Sequence, residues 1–408
     1  MTNTQSKVPQ LRFPEFSGVY ASSTLEDITA KKISYGIVQA GPHVDEGMPY
    51  IKSKNLNSSI NLESLERTSL EIAHKYRRSE VVPGDIVFSL RGAIGVSQIV
   101  PSDIKVANLT QGTARISVSK EHSNEFIRYA LTTRLIASRI FAVSKGSTFK
   151  EISLEELRKL KVYHPGNIEE KKIASLLSTV DKKISLLNQK HNQLVQYKKG
   201  IMQQLFSQKL SFKDENGQGF PDWKSVQLKS ILLLQNYPID MQDDEEYELI
   251  TAKRRNGGIV SRGKYLGKGV LVKSQFRLKE NQFVISKRQI VHGACGLVPK
   301  HLEGAILSNE YNVFEGVPDV LDIHYFNLFS KTLEMKKAYF RSSDGVHIEK
   351  LLFRTKDWLK KRVKLPSLDE QKRIVSVSIE LEKKISLIQQ QIEQTQAYKQ
   401  GLLQQMFV

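Results

Sequence analysis

Lys182-Lys183-Ile184-Ser185-Leu186 and Lys383-Lys384-Ile385-Ser386-Leu387 are the same five residues, 201 positions apart. Downstream, Tyr197-Lys198-x-Gly200-x-x-Gln203-Gln204-x-Phe206 recurs at the same offset as Tyr398-Lys399-x-Gly401-x-x-Gln404-Gln405-x-Phe407. The two copies align without a gap from Pro165 and Pro366 onward. Chance does not produce this; it is the mark of a duplicated architecture.

Both copies read as long helices. In the first, Ile173, Leu177, Val180, Ile184, Leu187, His191, Leu194, Lys198, Ile201 and Leu205 step alternately by four and three. The equivalent positions are Ile374, Ser378, Leu381, Ile385, Ile388, Ile392, Thr395, Lys399, Leu402 and Met406. A 3.5-residue period held this long predicts a coiled-coil seam built from the apolar members. Its polar breaks, His191, Lys198, Ser378, Thr395 and Lys399, cost stability and can fix register. Lys198 and Lys399 are expected near a junction with partner helices. Acidic first turns (Glu169-Glu170, Asp369-Glu370) suit the helix dipole. Gly200 and Gly401 allow a bend or the close approach of another backbone.

The repeat reaches into the flanks. Phe13-Pro14-Glu15-Phe16 stands near the start of the chain, and Phe220-Pro221-Asp222-Trp223 follows the first helix. The order is therefore block, helix, block, helix: residues 1–165, 166–212, 213–365 and 366–408. Both blocks have domain size and mix strand-like runs (Asp85-Ile86-Val87-Phe88-Ser89; Gln282-Phe283-Val284-Ile285-Ser286) with glycine-rich turns. The expected class is α+β: two globular domains separated by two long antiparallel coiled-coil helices with a pseudo-two-fold repeat. The strand order is not derivable. About 40 helical residues at ~1.5 Å each give a rod of roughly 60 Å at most.

The chain has 408 residues, 40% hydrophobic and 8% aromatic, which are globular values. Its one cysteine, Cys295, excludes a disulfide framework and a cysteine-based zinc cluster and fits a reducing cytoplasm. The polar start has no signal-like apolar region and no run is long enough to span a membrane, so a soluble cytoplasmic protein is expected.

The net charge of +18 points to a polyanionic partner, nucleic acid first. The surplus is +6 over residues 1–165 and +7 over 213–365, against +5 in the first helix region and none in the second. The first block carries Lys31-Lys32, Lys52-Ser53-Lys54-Asn55, Lys75-Tyr76-Arg77-Arg78 and Ser144-Lys145-Gly146-Ser147. The second carries Lys253-Arg254-Arg255-Asn256-Gly257-Gly258 and Ser286-Lys287-Arg288-Gln289. Arg and Lys serve phosphates or guanine edges, while Asn and Gln pair with adenine edges. The DNA-binding candidates are therefore Lys54, Asn55, Arg77, Arg78, Arg91, Asn108, Gln111, Lys145 and Ser147 in the first block. In the second they are Lys253, Arg254, Arg255, Asn256, Lys287, Arg288, Gln289 and Asn309. The plainer reading of each cluster is a solvated basic surface. For Lys360-Lys361-Arg362, just before a helix, a structural role fits better. Domains held by such a rod could reach half-sites ~34 Å apart on a duplex.

Nothing points to catalysis. Gly258 to Lys264 has phosphate-loop spacing, but Tyr265 stands where Ser or Thr must hold magnesium. Asn236-Tyr237-Pro238-Ile239 falls short of an amino-methyltransferase motif. The nine histidines show no paired metal spacing. No catalytic residue, metal or cofactor is expected in this chain.

The arrangement resembles the specificity subunit of type I restriction-modification systems over nearly the whole length. The phrases that carry the likeness are Leu11-Arg12-Phe13-Pro14-Glu15-Phe16, Pro83-Gly84-Asp85-Ile86-Val87-Phe88-Ser89, Ser308-Asn309-Glu310-Tyr311 and Leu365-Pro366-Ser367-Leu368-Asp369-Glu370-Gln371-Lys372-Arg373-Ile374. The first helix entrance, His164-Pro165-Gly166-Asn167-Ile168-Glu169-Glu170-Lys171, departs from the usual Pro-Leu-x-Glu-Gln pattern. The resemblance implies two target-recognition domains, each reading half of a bipartite asymmetric site in double-stranded DNA. It implies helices that set the gap and dock two modification subunits. Those partners bring S-adenosylmethionine for adenine methylation, and restriction/translocase subunits bring ATP and Mg. Two rivals remain: a stand-alone DNA methyltransferase or nuclease, which would be active alone, and a coiled-coil scaffold, whose DNA affinity would depend little on salt.

Overall fold

The computed structural model describes residues 7–146, 150–214 and 216–408. Two helices dominate, Asn167–Phe206 and Leu368–Met406. The chain divides into two compact units, one holding residues up to Gln189 together with Gln389–Val408, the other Lys190–Ile388. Each long helix thus gives one half to each unit. Within each unit the early half of one helix accompanies the late half of the other, the antiparallel arrangement that the seams call for.

The first unit is built on a four-stranded antiparallel sheet in the order Thr29–Tyr35, Thr113–Val118, Ile86–Ser89, Ser97–Ile99. Side chains alternate across a strand, and this sheet is buried on both faces. Ile86, Phe88, Ala114 and Ile116 join a core with Phe126, Ile127 and Leu131 of the helix Asn124–Thr132. Ile173, Leu177 and Val180 of the first long helix and Leu402, Leu403 and Met406 of the second complete that core. Val87 points the other way, into a smaller cluster with Ile51, Leu56 and Leu109.

The second unit repeats the plan. Its four-stranded sheet runs Leu232–Gln235, Tyr311–Gly316, Phe283–Ser286, Cys295–Leu297. Phe283, Ile285 and Phe314 pack with Tyr325, Phe326 and Trp358, and with Leu205 and Ile374 of the long helices. Val284 and Val313 face a second cluster. The adjoining sheet, with five strands, is larger than its three-stranded counterpart in the first unit.

A two-stranded ribbon closes each domain, Ala21–Thr24 with Lys161–His164 and Lys224–Gln227 with Arg362–Leu365. Each closing strand leads directly into a long helix. The acidic first turns do more than complement the dipole. Glu169 accepts two hydrogen bonds from Arg12 at 2.8 Å, and Glu170 accepts from the Ser123 N–H at 2.7 Å and pairs with His122 at 2.8 Å. In the second copy Gln371 takes the place of Glu170 and accepts from the Asp322 N–H at 2.8 Å. Ser123 and Asp322 are the N-caps of the helices Asn124–Thr132 and Ile323–Phe329. One buried side chain thus fastens each domain to its long helix.

All fifteen apolar seam candidates are buried or half-buried: Ile173, Leu177, Val180, Ile184, Leu187, Leu194, Ile201, Leu205, Ile374, Leu381, Ile385, Ile388, Ile392, Leu402 and Met406. The expected close approach at Gly200 and Gly401 is absent among the described residues. A Cβ built at either meets nothing within 4 Å, and both helices run through without interruption. Among the described residues no helix is long and apolar enough to cross a membrane.

Candidate nucleic-acid interface

In the second domain the folding brings separate basic segments together. Lys253 to Gly258 forms the loop of a hairpin between the strands Glu246–Ala252 and Ile259–Leu266, closed by the Lys253 N–H donating to the Gly258 carbonyl at 2.9 Å. Arg255 and Asn256 are both left-handed, with φ of 58° and 56°. A non-glycine residue is costly in this region and persists only when its surroundings hold it. The Arg255 N–H donates to the His292 carbonyl at 2.7 Å and the Asn256 N–H to the Gly293 carbonyl at 3.0 Å. Gly293 itself has φ +76°, and a Cβ there would come within 2.8 Å of Asn256 Oδ1. The loop is therefore rigidly seated and leaves Lys253, Arg254 and Arg255 exposed.

Arg254 reaches Glu349 at 2.8 Å, and His292 approaches the same carboxylate at 3.4 Å. Beside this loop stands the second cluster. Lys287 donates to the Asn309 carbonyl and Arg288 pairs with Glu310 at 2.6 Å. Asn309 is exposed, and Gln289 is half-buried with its Oε1 unpartnered. The cationic and amide side chains of the loops 253–256 and 287–289 thus share one region with Asn309. The phosphate-loop spacing near Gly263 proves to be extended strand, not the loop-to-helix turn that a nucleotide cradle needs.

The first domain scatters its candidates more widely. Lys54 pairs with Glu66 at 3.1 Å, together with Lys52 and the Tyr50 hydroxyl; these three donors hold the Glu66 carboxyl down at about 2. Asn55 accepts from the Lys52 N–H at 2.9 Å, closing a short 3-10 turn. Arg91 pairs with Glu151 at 2.8 Å, and Lys145 is exposed next to the same segment, whose backbone bridges both residues. Gln111 is half-buried. Ser147 lies outside the described residues. Arg77 and Arg78 are exposed on a 3-10 turn and carry no ion pair among the described residues.

Asn108 is a correction. It is fully buried, and its Nδ2 donates to the Ala73 and Tyr76 carbonyls at the end of the helix Leu70–Lys75. An amide sealed in the core holds a helix end; it has no access to a base edge. Arg362 matches its structural expectation, donating to the Ser225 hydroxyl and carbonyl across the closing ribbon.

Sequence spacing also missed a group. His122, His164 and Glu170 offer ligand atoms within 4.8 Å of one another. Their polar atoms are already engaged: His122 with Glu170, His164 with the Ser23 hydroxyl at 2.9 Å, and Glu170 with the Ser123 N–H. The group works as the anchor of the first long helix. Only the fold brings His122 to His164 and Glu170, which lie close together in the sequence.

The chain thus carries two α+β domains in tandem, each with exposed basic loops and each fastened to a long helix at its entrance. The chain belongs to the family described as Type I restriction modification DNA specificity domain, whose model matches residues 15–196 and again 221–397. It is 33% identical over 144 residues to the Type I restriction enzyme EcoBI specificity subunit of Escherichia coli, covering 35% of this chain and 30% of that protein. It is 28% identical over 137 residues to the MjaIX specificity subunit of Methanocaldococcus jannaschii, covering 33% and 31%. These matches thus span under a third of the length of either curated relative. Two solved structures share the fold along nearly the whole chain. The type I restriction-modification S subunit of M. genitalium has a TM-score of 0.56 at 14% identity, over 98% of this chain and 99% of that one. The HsdS subunit of Thermoanaerobacter tengcongensis has a TM-score of 0.55 at 13% identity, over 100% and 99%.

Proposed function

We propose that this chain is the non-catalytic DNA-reading subunit of a type I restriction-modification complex, working in the cytoplasm. Each domain reads one half of a bipartite, asymmetric site in double-stranded DNA. The long helices set the unread gap and dock two modification subunits. S-adenosylmethionine is bound by those partners, which methylate adenine, and ATP and Mg by restriction/translocase subunits; this chain supplies the address.

The observation that carries the reading is the duplication. The family match falls twice on one chain, and each copy has its own basic loops on a different loop set. Two readers of unlike sequence, fused in tandem, suit a target whose halves differ. The +18 charge supplies the sequence-independent attraction to phosphate on which such reading depends.

The test is methylation-aware sequencing of host DNA with and without this chain, the modification partner being present in both. Loss of one split adenine-methylation motif is the expected result. An unchanged methylome would overturn the assignment.

A further inference from the structure

A cleft of about 600 Å³ opens on the first domain between the strand Thr29–Tyr35 and the 3-10 turn that carries the sequence candidates Arg77 and Arg78. Six cations line it: Lys31, Lys32, Arg77, Arg78, Arg115 and Arg158. No carboxylate lines it, and none of the six has an ion pair among the described residues. This sets it apart from the other basic clusters of the protein, where Lys54, Arg91, Arg254 and Arg288 each hold a carboxylate. Ser34 and Tyr35 complete the wall; the Ser34 hydroxyl donates to the Arg78 carbonyl and fixes the turn bearing Arg77 and Arg78 against the strand Thr29–Tyr35.

Arg115 forms the floor. It is 7% exposed, yet its guanidinium meets only backbone carbonyls, those of Glu80 at 2.9 Å and Lys32 at 3.4 Å, and its Nε has no partner. Arg158 likewise keeps a buried Nε unpartnered while donating to the Ile33 carbonyl. Burial lowers the Arg115 pKa, opposed by the charges of Asp85 and Glu80, whose carboxylates act on it only through space. A buried cation without a paired counter-charge is an expensive arrangement. An arriving anion would supply what is missing.

The duplication provides an internal control. Arg115 is paired across the sheet with Ser34 on one side and Val87 on the other. The residue between the equivalent strands of the second domain, facing Gln235 and Val284, is Val313, buried in an apolar cluster. The arginine is therefore no requirement of this sheet. It is a feature of the first domain alone.

We propose that this cleft is an oxyanion site that seats phosphate groups through Lys31, Lys32, Arg78, Arg115 and Arg158. Backbone phosphates of a duplex lying across the first domain are one source, and that choice rests on the DNA-reading function proposed above. A free polyphosphate is the other. Either is bound by charge-assisted hydrogen bonds from a guanidinium fork and ammonium groups.

The test uses the purified full chain and the variant Lys31→Gln/Lys32→Gln, both side chains being exposed. Arg115→Gln is a second variant, checked for folding by its thermal melt. Affinity is measured over a salt series for a duplex carrying the methylation motif and for an unrelated duplex, and tripolyphosphate binding is followed by calorimetry. If duplex phosphates fill the cleft, the double variant binds both duplexes more weakly by the same factor. Its salt slope falls by about two, roughly 0.9 for each phosphate no longer neutralised. If a free polyphosphate is the ligand, duplex binding is unchanged and tripolyphosphate binding disappears. Unchanged duplex affinity, slope and tripolyphosphate binding in the double variant would overturn the proposal. A wild-type chain that fails to prefer the motif duplex would count against the reading function instead, with the tripolyphosphate result still deciding the cleft.

Discussion

Lys399 Nζ stands 2.6 Å from Asp181 Oδ1, and the residues at their repeat-equivalent positions, Lys198 and Glu382, form an ion pair of their own. The repeat thus extends from the letters of the sequence to a reciprocal pair of interactions. Lysines that break the apolar seam, expected at a junction with partner helices, are satisfied within this chain. The first pair has extra support, because the Tyr129 hydroxyl donates to Asp181 at 2.7 Å and the Lys399 ammonium lies 5.4 Å from the centre of the Tyr129 ring. Among the described residues, Glu382 accepts from Lys198 and from no tyrosine.

That asymmetry has a measurable consequence. Both pairs are partly exposed to solvent, which screens them. Asp181→Asn is expected to lower stability by about 1 kcal/mol and Glu382→Gln by about half of that or less. Denaturant midpoints of the two variants, with a double-mutant cycle through Lys399, check this. Equal destabilisation would show that Tyr129 adds nothing.

Gly200 and Gly401 sit in continuous helix with open space where a side chain would point. Glycine in a helix interior is less favourable than alanine by about 1 kcal/mol. Gly200→Ala and Gly401→Ala should therefore each raise the melting temperature of the isolated chain. If modification subunits pack against these glycines, the same variants will assemble poorly, which size-exclusion of the mixed subunits will reveal.

Glu370 is buried, and desolvation raises its pKa above the ordinary 4.5, against the favourable hydrogen bond from Trp223 Nε1 at 3.0 Å. A carboxyl with a raised folded pKa favours the folded state most when protonated. Its contribution is fullest below the unfolded value and declines as pH rises through the folded one. Glu370→Gln keeps an acceptor for Trp223 and removes the buried charge. The variant should have a higher denaturation midpoint at pH 7, and the gain should shrink as the pH falls through the raised folded pKa and be nearly gone by about pH 4. A gain independent of pH would assign it to packing.

The hairpin loop of the second domain predicts a different readout from the core asparagine of the first. Lys253→Gln/Arg255→Gln should weaken duplex binding and reduce the salt slope by about two, one for each phosphate left without its cation. Asn108→Ala should instead destabilise the fold by about 1–3 kcal/mol, the cost of leaving buried carbonyls unpaired. Its salt slope should be that of the wild type. Fluorescence anisotropy and thermal melts on the same samples separate the two.

Much of this architecture is legible in the amino-acid sequence. The helix period and the 201-residue offset specify two long helices and two domains, because a seam repeats at fixed spacing regardless of what it packs against. The acidic residues at the helix entrances are visible too, but their role is not. Glu170 and Gln371 differ in letter and perform the same anchoring task, which only their partners Ser123 and Asp322 disclose. Asn108 and Asn309 look alike in sequence, and one is sealed in the core while the other is exposed.

The duplication, the class of fold, the basic character and the absence of recognisable catalytic motifs can all be read from the letters, since each is a property of composition or local period. Which cations are already neutralised and which stand unpaired emerges only in the folded chain. Arg91, Arg254 and Arg288 find carboxylates far along the chain, whereas Arg78 and Arg115 form no ion pair among the described residues. The reason is physical. A charge's availability depends on the dielectric around it and on neighbours supplied by distant segments, and neither is written at its own position in the chain.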